Sequence, residues 1–222
     1  MKQKPGWVLP DLKEAQKRTT NTIDRIDTFT IPEAARMMGR SKTYFISTYG
    51  CQANERDSET IAGILDELGF TPNETPENSD VIIINTCAIR QNAEEKVLGE
   101  IGNFKRLYRE NKDLIIGVCG CMAQEEGLVE TLLTKYPQVR LLFGTHNIQE
   151  LPSMLYSCMY DGKKIVKIYS KEGEVYENLP VHRFGTFKAW VNIMYGCDKF
   201  CTYCIVPYTR GKQRSRKMSE IL

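Results

Sequence analysis

The sequence predicts an open α/β fold, a mostly parallel sheet of four or more strands with helices on both faces. Two observations carry this. Runs such as VIIIN at 81–85 and LIIGVCG at 114–120 are continuously apolar. A strand of that kind is buried on both faces, as in a parallel sheet. Each run is also followed by a segment with helical periodicity, so strand and helix alternate four times, as right-handed β–α–β crossovers require.

In chain order, TYFIST (43–48) is β-branched and aromatic and reads as the first strand. Ile61, Ile64, Leu65 and Leu68 follow at i, i+3, i+4 and i+7, an amphipathic helix ended by Gly69. After VIIIN comes a long helix through roughly 90–110, with Val97, Leu98, Ile101, Phe104 and Leu107 on its apolar side. LIIGVCG precedes a helix at about 124–136, and RLLFG (140–144) precedes a fourth, NIQELPSMLYSCM. Residues 42–158 thus form an α/β domain. Residues 1–41 are polar and mixed and read as an N-terminal extension with little core of its own; IPEAARMMGR is a short helix with Pro32 in its first turn. Residues 159–186 read as a connector, in which KIVKIYS offers a short strand. Residues 187–222 start a second unit, opened by FKAWVNIMYGC as a new strand.

The 222 residues are 41% hydrophobic and 26% charged, the balance of an ordinary globular protein. Thirty basic against 28 acidic side chains leave +2, so nucleic-acid binding must rest on local patches. The opening MKQKPGWVLP lacks an apolar core, and no run of about 18 apolar residues occurs, so neither a secretory signal nor a membrane span is expected. A cytoplasmic, reducing setting follows. There, the eight cysteines are better read as metal ligands or catalytic thiols than as disulfides.

Cys51, Cys87 and Cys121 follow the first three strands at separations of 36 and 34 residues, each about one β–α–β unit. Loops after successive parallel strands share one edge of the sheet, so the three thiols should converge there, facing helix N-termini that favour thiolate. Three thiolates suit an iron–sulfur cube with one iron left open, since each thiolate holds one iron. A structural zinc site wants four ligands. Cys119 alternates away from Cys121, and Cys158 lies in the fourth helix; both read as buried packing residues.

YGCDKFCTYC (195–204) sets Cys197, Cys201 and Cys204 at spacings of four and three. Three thiols on one loop can reach three corners of a small cluster. A zinc ribbon would need a second Cys/His pair, and the two histidines, His146 and His182, complete no such pattern. A redox dithiol would leave Cys197 unexplained.

C-x3-C-x-aromatic-C after a strand resembles the cluster loop of radical S-adenosylmethionine (SAM) enzymes. A three-cysteine α/β domain followed by that loop is similar to the methylthiotransferase family. TYGCQANERDSE, NTCAIR, GCMAQ and GCDKFCTYCIVPYTRG carry the likeness over residues 43–222. The wording is nearest to members acting on N(6)-dimethylallyladenosine beside the tRNA anticodon. Relatives acting on threonylcarbamoyl-adenosine in tRNA or on a ribosomal protein are the alternatives. The resemblance implies an enzyme, a transferase. It implies two 4Fe-4S clusters, an auxiliary one on Cys51, Cys87 and Cys121 and a radical SAM one on Cys197, Cys201 and Cys204, with Tyr203 beside the SAM adenine. One SAM would methylate sulfur held at the auxiliary cluster. A second would yield the radical that abstracts hydrogen from C2 of the adenine. It further implies tRNA and an electron donor such as flavodoxin or ferredoxin as partners, no membrane, and a monomer.

TRGKQRSRK (209–217) offers Arg210, Lys212, Arg214 and Arg216 to tRNA phosphates. A radical SAM barrel needs roughly 180 residues by comparison with other β/α barrels. Residues 187–222 would then be a truncated start, poorly ordered or leaning on the first domain, and without methylthiolating activity alone. The competing class is a non-catalytic iron–sulfur or flavodoxin-like module, for which STYG at 47–50 would be the phosphate loop.

Overall fold

Continuous apolar strands need cover on both faces, and the molecule supplies it. The computed structural model describes residues 25–87, 91–168 and 174–222. In chain order the strands are β1 (Arg25–Thr28), β2 (Thr43–Tyr49), β3 (Thr71–Pro72), β4 (Val81–Thr86), β5 (Ile115–Gly120), β6 (Val139–Phe143), β7 (Ile165–Lys167), β8 (Glu174–Glu177), β9 (Met194–Tyr195) and β10 (Arg214–Ser215). The helices are α1 (Gln52–Glu67), α2 (Gln91–Glu110), α3 (Glu126–Lys135), α4 (Leu151–Tyr160) and the single turns α5 (Val206–Thr209) and α6 (Met218–Ile221). Six strands form one sheet in the order β3-β2-β4-β5-β6-β7, with every pair parallel.

Alternation along the strands sorts the core into two layers. Ile83, Ile115, Leu141 and Phe143 face one side with Ile61, Ile64 and Leu65 of α1 and Leu151 and Leu155 of α4. Ile82, Ile84, Ile116, Val118 and Leu142 face the other with Val97 and Ile101 of α2 and Val129 and Leu132 of α3. Every residue of β4 and β5 is buried, which explains why those two runs contain no polar alternation.

The sheet has six strands, within the four or more expected, with β3 and β7 at its edges; β7 falls within KIVKIYS, where a short strand was expected. The structure departs from the sequence reading in two places. The N-terminal segment gives Ala35 and Met38 to the core beside Phe70, and β1 pairs in parallel with β8. Its first 24 residues lie outside the described ones. Finally, of FKAWVNIMYGC only Met194–Tyr195 is strand, paired antiparallel with β10. A strand exists by exchanging backbone hydrogen bonds with a neighbour. Among the described residues none forms a strand ladder with 187–193, where the Arg216 amide donates a single bond to the Ile193 carbonyl at 3.0 Å, and Phe187, Val191 and Ile193 are exposed.

The connector crosses α1 where Gly63 lacks a side chain: a Cβ there would stand 2.5 Å from the Pro180 carbonyl carbon. His182 N–H donates to the Glu59 carbonyl at 2.9 Å, and its ring meets Asp66 at 2.6 Å. This crossing brings residues 190–216 over the carboxyl edge of the sheet.

Candidate metal centre

Strand register sets the first cysteine group. Tyr49 lies beside Thr86, and Thr86 beside Gly120, so Cys51, Cys87 and Cys121 leave three adjacent strands at nearly one level. Two glycines make the approach possible. A Cβ on Gly50 would stand 2.8 Å from the Cys87 Cβ. Gly120 has φ +96°, and a Cβ on it would stand 2.2 Å from the Thr86 carbonyl oxygen. Cys87 is the middle thiol and acts on both Cys51 and Cys121. Cys87 and Cys121 are buried, while Cys51 opens outward.

The surroundings favour thiolate. The hydrogen bond with Cys87 is the largest influence holding Cys51 down to about 5, ahead of the Asn54 and Ala53 amides at the start of α1 and the Arg210 charge, all against the opposing effect of burial. Cys121 is held at about 6, first by Cys87, then by Arg210 and the Thr209 hydroxyl, again against burial. Cys119 goes the other way: burial raises it well above the ordinary thiol value. Burial likewise pushes Cys158 up to about 11. Both are packing residues, in line with the sequence reading.

An amide bracket, absent from the sequence reading, fixes this edge. Asn54 Nδ2 donates to Asn85 Oδ1 at 3.0 Å and to the Thr86 carbonyl at 3.1 Å. Asn85 Nδ2 returns bonds to the Asn54 carbonyl and Ser58 Oγ, both at 2.9 Å. The signal was present in IIINTC: an amide inside a wholly buried strand must find partners. A second missed signal is Gly before Cys at 50–51, 120–121 and 196–197.

Among the described residues, no three His, Cys, Asp or Glu side chains converge as ligands of one metal ion. The three thiols instead form a row with Cys87 at its centre. A cluster takes one thiolate per iron and so needs donors around a volume, which three soft, thiolate-favouring groups on one edge can provide. The residues fit that group.

Cys197, Cys201 and Cys204 sit on a loop held at its base. The Cys197 amide donates to the Gly211 carbonyl at 3.1 Å, the Gln213 amide donates to Asp198 Oδ1 at 2.9 Å, and β9 pairs with β10. Gly196, at φ +65°, passes where a Cβ would stand 2.2 Å from the Lys212 carbonyl oxygen. Beyond the base, Cys201 is exposed, Cys197 and Cys204 are half-buried, and Tyr203 is 90% exposed.

The loop's return segment meets the sheet edge. Arg210 Nη2 lies 2.7 Å from Asp57 Oδ2, and Thr145 Oγ1 donates to the Thr209 carbonyl at 2.7 Å. A cavity of about 510 Å³ lies between the two parts, lined among others by Cys51, Asp57, His146, Trp190, Tyr195 and Arg210. The basic run has partners within the chain. Arg210 is committed to Asp57. Arg214 is buried over the Tyr195 ring, and Arg216 is paired with Glu177. Lys212 is half-buried. These arginines are neighbours in sequence, yet the fold gives Arg210 and Arg216 distant carboxylates and sets Arg214 over a distant ring.

A parallel α/β sheet carries three thiols at its carboxyl edge beside a second three-cysteine loop, and comparison with known proteins shows what the chain that builds them is similar to. Residues 43–144 match the family described as Uncharacterized protein family UPF0004. The tRNA-2-methylthio-N(6)-dimethylallyladenosine synthase of Geobacillus thermodenitrificans (strain NG80-2) is 55% identical over 96% of this chain and 41% of its own length. The synthases of Staphylococcus saprophyticus (56%, 96% and 42%) and Bacillus licheniformis (54%, 97% and 42%) match similarly. The chain spans about two fifths of the length of these curated relatives. No helix among the described residues is long and apolar enough to cross a membrane.

Proposed function

We propose that the chain carries the sulfur-bearing site and the SAM-cluster loop of an enzyme that methylthiolates N(6)-dimethylallyladenosine beside the tRNA anticodon in the cytoplasm. Cys51, Cys87 and Cys121 hold one 4Fe-4S cluster; Cys197, Cys201 and Cys204 hold the other, where SAM binds. The observation that carries this reading is the row of three thiols, drawn from three strands and favouring thiolate, in one chain with the C-x3-C-x2-C loop. Two clusters and SAM would supply the sulfur and the radical chemistry.

The chain's own residues shape the site. Gly50 and Gly120 let the thiols approach, the Asn54–Asn85 bracket fixes the strand ends, and the cavity opens beside Cys51. Tyr203, exposed on its loop, is free to stack on an adenine.

Iron counting tests the reading. Reconstituted anaerobically with iron and sulfide, the chain should bind about eight irons, four per cube. Replacing Cys197, Cys201 and Cys204 with Ala should leave about four. Loss of all iron in that variant overturns the two-site reading. For the reaction, relatives of full length bearing these motifs should form the methylthio nucleoside from tRNA carrying dimethylallyl-adenosine; no product sinks the substrate assignment.

A further inference from the structure

We propose that Arg210 and Asp57 are a positioning pair that joins the two cysteine groups: Asp57 docks Arg210, and with it the loop's return segment, so that a permanent positive charge stands beside Cys51 and Cys121. The inference rests on the reading of those thiols as cluster ligands.

The two residues are 153 positions apart, yet they meet at 2.7 Å with only 17% and 9% of their side chains exposed. A buried ion pair is a poor device for stability alone, because desolvation offsets most of the attraction. Asp57 also has a second cation within reach, Arg56 at 3.6 Å, so its charge is compensated without Arg210. What Arg210 adds is location. Its charge acts on both Cys51 and Cys121. Thr145, just past β6, donates to the neighbouring Thr209 carbonyl at 2.7 Å. Residues 209–210 are thus tied to the thiol edge from α1 and from the end of β6. A guanidinium keeps its proton in proteins, so this charge is constant. A fixed cation beside Cys51 and Cys121 favours whichever form of the site carries one more electron.

The test uses the full chain with Cys197, Cys201 and Cys204 replaced by Ala, reconstituted anaerobically, so that one site is read alone. Arg210→Gln should keep the iron but shift the one-electron reduction equilibrium at least tenfold toward the oxidised form, about 59 mV. Arg210→Lys, which keeps the charge, should shift it less. Without iron, Asp57→Asn and Arg210→Gln should each speed amide hydrogen exchange at residues 206–210 at least tenfold, with β4 and β5 unchanged. If the background chain binds no iron, the cluster reading fails, and the charge role with it. If iron is bound and Arg210→Gln reduces like its parent, the positioning role is overturned while the cluster reading stands. Unchanged exchange in both variants overturns the docking.

Discussion

The two cysteine groups are built in opposite ways. Cys51, Cys87 and Cys121 come from stretches more than thirty residues apart and are fixed by strand register, two obligatory glycines and a buried amide bracket. Cys197, Cys201 and Cys204 come from eight consecutive residues, fixed only at the loop's base. The first site exists because the sheet exists; the second is encoded locally and placed by the few contacts of its return segment. Disturbing the sheet should therefore destroy both, whereas disturbing the loop should spare the sheet.

Glycine substitutions probe this most severely. Gly120→Ala sets a methyl against the Thr86 carbonyl in a left-handed backbone, and we expect about 3 kcal/mol lost in urea unfolding, with iron binding at the sheet edge abolished. Gly196→Ala, an equally close contact in the loop, should free the loop's base yet leave the far-ultraviolet circular dichroism and the midpoint of sheet unfolding in place. Were Gly196→Ala to unfold the chain as Gly120→Ala does, the contrast would fail.

Next in size is the bracket. Asn85→Ala removes three buried hydrogen bonds, one accepted from Asn54 Nδ2 and two donated to the Asn54 carbonyl and Ser58 Oγ, costing about 2 kcal/mol in urea unfolding. It should also lower iron retention at the Cys51 group without affecting Cys197, Cys201 and Cys204, readable with either group replaced by Ala.

Cys158 sharpens the line between packing thiols and site thiols. Burial raises it to about 11 against an ordinary 9.0, so the folded state holds its proton more tightly than the unfolded chain. Its contribution is complete below pH 9 and is lost as pH rises through about 11. A Cys158→Ala chain should consequently lose less stability between those pH values than its parent, measured by urea titration at each pH; equal slopes would show that this thiol titrates normally. The smallest effect is expected at Gly99, exposed on α2 with open space around it, where Ala should add up to about 1 kcal/mol by helix propensity alone.

By itself the sequence determined the sheet's central strands and their helices, because a strand buried on both faces must be apolar throughout and a helix with one buried face must repeat at 3.6. VIIIN, LIIGVCG and the Ile61–Leu68 stripe left little freedom. Those strands also assigned Cys51, Cys87 and Cys121 to one edge, since parallel strands deliver their following loops to the same side. Tertiary structure decided what depends on partners distant in the chain. The apolar run before Cys197 looked like a strand, but strand formation needs a neighbour, and only Met194–Tyr195 finds one in β10. Arg210, Arg214 and Arg216 looked like a basic surface, because charge is visible in sequence and burial is not. Asp57, Tyr195 and Glu177, which receive them, lie up to 153 positions away. A hydrogen bond or ion pair is decided within a few ångströms, a distance that residue order along the chain does not measure.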